Sequence, residues 1–187
     1  MSDIEDEAVA RIAGNASEDV KRALAHPGAF FVNRAMLEGV KGPIFGETIT
    51  NRMVVTEVSV EQKKEEPSRL EGKVVCELTV EEDMINGGGN IHGGCSAFLI
   101  DICSTLALTA LSMSNTGDVY ISVSQSLNIV YHSPAALGDK LRIVNTTMTL
   151  GARAHSARTE IWNATHHRLV SSGVHIKMQP SFPKSNL

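Results

Sequence analysis

The chain has 187 residues, 42% of them hydrophobic, which suits one globular domain with appended sequence and leaves no room for a second full domain. A net charge of −4 spread along the chain excludes the basic stripe that duplex nucleic acid demands, so no nucleic-acid partner is expected. Cys76, Cys95 and Cys103 are an odd number in apolar contexts without metal-ligand spacing, which points to reduced core thiols in an intracellular protein.

The acidic start MSDIEDEAVA has neither an apolar run nor the basic character of a presequence. A cytoplasmic protein without a membrane span is therefore expected, with peroxisomal and mitochondrial addresses left open. Ser185-Asn186-Leu187 resembles the peroxisomal S-K-L tail, with Asn where a basic residue is wanted. The N-x-S/T sequons at Asn15, Asn145 and Asn163 carry no weight without a secretory signal.

Residues 1–45 read as a helical extension, distinct from a domain over 46–187. IEDEAVARIAG is a short amphipathic segment, Ser17 can cap EDVKRALA, and His26-Pro27-Gly28 is expected to stop the chain there. A third helix is expected over FFVNRAMLEGV, ended by Gly42-Pro43. From about residue 48 the pattern turns to strands: NRMVVTEVSV, a charged hairpin loop EQKKEEPSR, then LEGKVVCELTVEED. NIHGGCSAFLIDICSTLALTAL, residues 90–111, is a long apolar helix. Four more runs follow, VYISVSQSLNIVYH, GDKLRIVNTTMTL, ARAHSARTEIWN and RLVSSGVHIKM, parted by turns at Ser133-Pro134, Gly151 and Thr165-His166-His167. The order predicts an α+β fold in which an antiparallel six-stranded sheet curves around a central helix.

One acid interrupts that helix. A buried, unpaired carboxylate at Asp101 would cost several kcal/mol. Two readings are open: a structural acid satisfied by Ser104 or Thr105, or a functional one. Gly94, Ala97, Phe98, Ser104, Thr105 and Leu108 share its face, small or weakly polar for the most part, while Leu99, Cys103, Leu106 and Ala110 suit burial against the sheet. Gly87-Gly88-Gly89 and His92-Gly93-Gly94 lead into the helix, where glycines permit close approach and free N–H groups can hold an oxyanion. A flexible loop with a tight turn is the plain alternative. Asp101 lies nine residues after His92, on the opposite face and about 13 Å further along the axis. One chain cannot bring both to one small reacting group, so a homodimer is expected, the helix start of one chain meeting Asp101 of the other.

Asn86, His92-Gly93-Gly94, Asp101, Asn128-Ile129-x-Tyr131-x-Ser133-Pro134 and Leu137-Gly138 together resemble the hotdog-fold acyl-CoA thioesterases of the PaaI-like group, over about residues 45–178. The resemblance implies a hotdog fold, dimers pairing into tetramers, and hydrolysis of acyl-CoA without metal or a cofactor beyond the CoA of the substrate. It implies that the Gly93 backbone N–H polarises the thioester carbonyl and that Asp101 of the partner chain activates water or attacks directly. Asn86 and His92 would position the thioester, and Ser124 would orient Asp101 or the water. Ser122 and Ser126 share the strand parity of Ser124 and stay open for that role. Gly94, Tyr131, Ser133, Pro134, Gly151, Ala152 and Arg153 would contact the substrate, its nucleotide end along 131–136 and 149–154. Arg153 is the best-placed cation for phosphate, ahead of Lys140 and Arg158.

The N-terminal extension and the 62–69 loop are longer than in compact members of the group, and either could cap the acyl tunnel. Two other readings stand beside the hydrolase. A non-catalytic acyl-CoA-binding module would not require Asp101. A hotdog dehydratase or hydratase would want a proline-rich loop before the helix, which this chain lacks. His26, His132, His155, His166, His167 and His175 show no ligand spacing, so no metal is expected.

Overall fold

Each of the six alternating runs forms a strand in a computed structural model that describes residues 2–32, 37–119 and 122–180, with side chains from residue 6 onward. The strands are β1 (Val54–Gln62), β2 (Leu70–Thr79), β3 (Val123–Tyr131), β4 (Lys140–Leu150), β5 (Ala154–Asn163) and β6 (Arg168–Met178). All neighbours pair antiparallel, in the order β1-β2-β4-β5-β6-β3, so β1 and β3 are the edges. The central helix, Gly93–Thr116, packs chiefly on β2, β4 and β5.

The 3.6-residue period assigns the buried face correctly. Leu99, Cys103, Leu106 and Ala110 are fully buried and join Val58, Val74, Cys76, Leu141, Ile143 and Ile161 in one core. Each fully buried aliphatic side chain there contributes about 1.5–3 kcal/mol. By length and composition this helix could cross a bilayer, yet 61% of its most apolar window is buried inside the protein. The three cysteines are free thiols. Buried Asn145 and Thr159 satisfy one another and the backbone: Asn145 Nδ2 donates to Val74 O at 3.0 Å and Thr159 Oγ1 donates to Asn145 Oδ1 at 2.7 Å.

The N-terminal elements depart from expectation in detail. We number them α1 (Ser2–Ala10), α2 (Glu18–Leu24), α3 (Pro27–Phe31) and α4 (Glu47–Arg52), which makes the central helix α5. Ser17 caps α2 as expected, its Oγ accepting from Val20 N. Pro27 starts a helix instead of stopping one, because at the first helical position its missing N–H has no bond to lose. The third helix expected over residues 30–40 is not formed as read: α3 ends at Phe31, Glu38 and Gly39 lie in a turn, and residues 33–36 fall outside the described residues. Asn51 and Arg52, read as the start of a strand, close α4, whose Glu47 and Arg52 sit at the ends that suit the helix dipole. Residues 120–121 of the VYISV run and the tail Ser185-Asn186-Leu187 also lie outside the described residues.

Residues 12–25 share the core of the sheet. Ala13 bridges β1 through Ala13 N to Thr56 O and Val58 N to Ala13 O, both 2.9 Å, and Val20 and Leu24 are buried in the common cluster. At Gly173, β6 passes close beneath α5: a Cβ there would lie 3.2 Å from Ile100 and 3.0 Å from Asn128 O.

Candidate active site

Two clusters form, one at each end of the sheet. At the start of α5, His92 is the N-cap, in extended geometry, and its Nδ1 accepts from Gly94 N at 2.8 Å, which leaves the ring proton on Nε2. Asn86 Oδ1 accepts from Gly88 N at 2.9 Å and so organises the glycine loop. Tyr131 OH donates to Gly93 O at 3.1 Å, and a Cβ on Gly93 would touch its ring at 3.4 Å. Ser133 Oγ donates to Leu169 O at 2.6 Å, and Ile91 N to Ala135 O at 2.7 Å, drawing Pro134 beside the helix start. The structure thus brings Asn86, His92, Gly93, Gly94, Tyr131, Ser133 and Pro134 together.

Asp101 lies two turns along α5, in a second cluster. Its side chain is 41% exposed, not buried as the apolar run implies, because α5 emerges from the sheet at this face. Ser104 and Thr105 do not satisfy its carboxylate: their hydroxyls donate to the Asp101 backbone carbonyl, at 3.1 and 2.9 Å. Neither of the two hydroxyls next to it on the helix is therefore its partner. The carboxylate instead accepts from Ser124 Oγ at 2.9 Å and faces His175 Nε2 at 3.3 Å, outside hydrogen-bond geometry.

Strict alternation along β3 fails at the position that matters. The β3–β6 register shifts between Ser124 and Ser126: Ser124 sits opposite buried Lys177, whereas Ser126 sits opposite exposed Ile176. The bulge aims Ser124 at α5 and turns Ser126 to the outer face, so the two do not share a parity after all.

Sequence reasoning missed His175 and Lys177. His175 is fully buried, with Nδ1 2.7 Å from Ser104 Oγ, and Lys177 Nζ donates to Thr105 Oγ1 at 3.1 Å and reaches Ser124 Oγ at 3.5 Å. Burial, reinforced by Lys177 and opposed by Asp101, holds His175 below the usual imidazole range. Burial likewise lowers Lys177, and Asp101 opposes it. A signal was present in β6, where the alternate positions Ser171, Gly173, His175 and Lys177 are polar or small. Those positions face inward, whereas Ile176 and Met178 are exposed, the reverse of the usual pattern.

A cavity of about 290 Å³ adjoins the acid, lined by Asp101, Ile102, Thr105, Lys177 and, from α3, Phe30 and Phe31. A larger cavity of about 570 Å³, lined by Lys63, Glu71, Met148 and Arg158 among others, shares no residue with either cluster. Among the described residues no group of His, Cys, Asp or Glu could hold a metal ion.

Register separates the two clusters. Tyr131 pairs with Ser171 and Ser171 with Ile161, whereas Ser124 pairs with Lys177 and Lys177 with His155, beside the β4–β5 turn that carries Gly151, Ala152 and Arg153. The two rows lie six residues of β6 apart, about 20 Å. Within one chain, segments 131–136 and 149–154 therefore stand at opposite ends of the sheet.

Residues 88–170 match the thioesterase superfamily, a span that includes Gly93, Asp101 and Ser124 and ends before His175. Acyl-coenzyme A thioesterase 13 of Homo sapiens is 36% identical over 110 residues, which cover 59% of this chain and 75% of that protein. The crystal structure of zebra fish thioesterase superfamily member 2 superposes with a TM-score of 0.60 at 29% identity, over 79% of this chain and 92% of that one. The Mus musculus member2 structure gives 0.58 at 29% identity, over 73% and 90%. A six-stranded antiparallel sheet around one long helix, and relatives that match it in sequence and in shape, lead to one conclusion: the chain belongs to the thioesterase superfamily and is a thioester-hydrolysing enzyme of the hotdog fold.

Proposed function

We propose that the protein hydrolyses acyl-CoA thioesters to free acid and CoA, at a site shared by two copies of the chain. The observation that carries this reading is the carboxylate of Asp101, half exposed beside a cavity and held by Ser124. Its relatives named acyl-coenzyme A thioesterase 13 support CoA as the leaving group.

In this reading Asp101 takes a proton from water as the water oxygen attacks the thioester carbonyl carbon, and Ser124 fixes the carboxylate that receives it. The Gly93 N–H of the partner subunit donates to the developing oxyanion, a contribution typically of about 2.7–4 kcal/mol for one such donor. Collapse of the tetrahedral intermediate breaks the carbon–sulfur bond, and the proton held by Asp101 passes to the departing thiolate. Asn86 and His92 position the thioester, and Gly94, Tyr131, Ser133, Pro134, Gly151, Ala152 and Arg153 contact the CoA portion. The reaction needs no metal and no cofactor beyond the substrate's own CoA.

Two features support a shared site. The Gly93 and Asp101 halves are too far apart in one chain, and the edge strand β3 carries exposed Val123, Val130 and Tyr131 beside Ile176 and Met178 of β6. Antiparallel pairing of two β3 edges about Leu127 and Asn128 would set Ser124 of one chain opposite Tyr131 of the other, bringing the two halves together. Pairing of such dimers into a tetramer remains part of the proposal.

The test is release of CoA thiol from a panel of acyl-CoA thioesters by wild type and Asp101→Asn. The variant keeps the shape and deletes the base, so turnover is expected to fall by about 10²- to 10⁴-fold with binding retained. Binding without thiol release by the wild type would replace the hydrolase with an acyl-CoA-binding module.

A further inference from the structure

Lys177 lies beyond the residues matched to the thioesterase superfamily and is only 6% exposed. A lysine so buried is found almost only with partners. Its ammonium has three donors and no acceptor, which gives its contacts a direction. It donates to Thr105 Oγ1 at 3.1 Å and points at Ser124 Oγ at 3.5 Å. Each hydroxyl has one proton, and neither can return it to Lys177. Thr105 donates to the Asp101 carbonyl at 2.9 Å, and Ser124 donates to the Asp101 carboxylate at 2.9 Å. Lys177 thus stands at the head of both chains of donors, and both end on Asp101.

We infer that Lys177 is a positioning residue for the hydrolysis: from β6 it holds the Ser124 hydroxyl in the donor direction and so keeps the Asp101 carboxylate fixed toward the cavity. The inference rests on the reading of Asp101 as the base. The charge around it is simple. Asp101 and Lys177 are the charged residues that line the cavity, and α3 contributes Phe30 and Phe31 to the same wall. The other titratable neighbours are His175 on the same strand and His155 opposite on β5. Burial and the nearby Lys177 hold both below the usual imidazole range, so neither is a competing cation at neutral pH.

The experiment compares wild type, Lys177→Met and Lys177→Arg for kcat and KM on one good acyl-CoA substrate, with thermal unfolding followed in parallel. Lys177→Met is expected to lower kcat by about 10- to 100-fold, the range for losing a hydrogen bond to a charged group, with KM little changed. Lys177→Arg, which keeps the charge and the donors, should restore part of kcat. A kcat in Lys177→Met that matches wild type once corrected for the folded fraction, or a loss that falls on KM alone, overturns the inference, since that is what a purely structural lysine would give. If Lys177→Met does not fold, Lys177→Arg decides: a folded Arg variant whose kcat falls as far as that of Asp101→Asn overturns the inference, and a kcat close to wild type supports it. A wild type that binds acyl-CoA and never releases thiol overturns the hydrolytic reading and this inference with it, whereas an enzyme that turns over regardless of Lys177 overturns the inference alone.

Discussion

Ser124→Ala is the sharpest probe of the Asp101 cluster. Ser124 is exposed on an edge strand, so removing its hydroxyl opens no cavity in the core and should leave the fold intact. The same hydroxyl makes a 2.9 Å bond to a carboxylate. Hydrogen bonds to charged groups contribute about 1.5–3 kcal/mol. At 1.36 kcal/mol per factor of ten, the loss corresponds to about a 10- to 150-fold fall in kcat when the bond persists in the transition state. The control is Ser126→Ala, two residues along and across the bulge, opposite exposed Ile176. Thiol-trapping assays on matched preparations, with urea unfolding alongside, read both quantities. Ser126→Ala should match wild type. Equal losses in the two variants, or Ser124→Ala within twofold of wild type, would refute the reasoning that the bulge selects Ser124.

Two further outcomes follow from the cavity and the buried imidazoles. The 290 Å³ space beside Asp101 falls near the small end of ligand sites, about 300–1,000 Å³, and Phe30 and Phe31 of α3 form part of its wall. Phe30→Ala and Phe31→Ala are expected to raise kcat/KM for long acyl chains relative to short ones. The ratio within one preparation is independent of the folded fraction, and an unchanged ratio would exclude these rings from acyl selection. His155 and His175 are both held below their ordinary 6.5 by burial, so the unfolded chain binds more protons than the folded one as pH falls. Stability should therefore decline on acidification from about pH 6.5, before the lowered carboxylates Glu57, Asp83 and Asp139 begin to lose theirs at lower pH. A urea midpoint that stays flat between neutrality and pH 5 would contradict this.

Periodicity made most of this molecule readable. The strand runs alternate cleanly, and the boundary of β6 is the one expected from RLVSSGVHIKM. The buried stripe Leu99, Cys103, Leu106 and Ala110 follows from helical spacing alone, since a side chain's face depends only on its place in the period. Local signals without a period were less dependable. Pro27 is equally suited to ending a helix or beginning one, and only the packing of Pro27 and Gly28 against α4 makes it a start.

By itself, then, the sequence determined the six strands, the long helix, the glycine-rich helix start and the presence of one acid in an apolar run, because each is written in neighbours a few residues apart. Tertiary structure decided what that acid touches. The partners of Asp101 come from β3 and β6, more than twenty and more than seventy residues away, and a single extra residue in β3 chooses Ser124 over Ser126. A bulge leaves the composition of a strand unchanged, and a lysine on a core strand looks outward until the sheet closes over it. Such contacts are set by which surfaces meet when the sheet wraps the helix; the alternation of Ser171, Gly173, His175 and Lys177 marks a polar face of β6 without naming its partners.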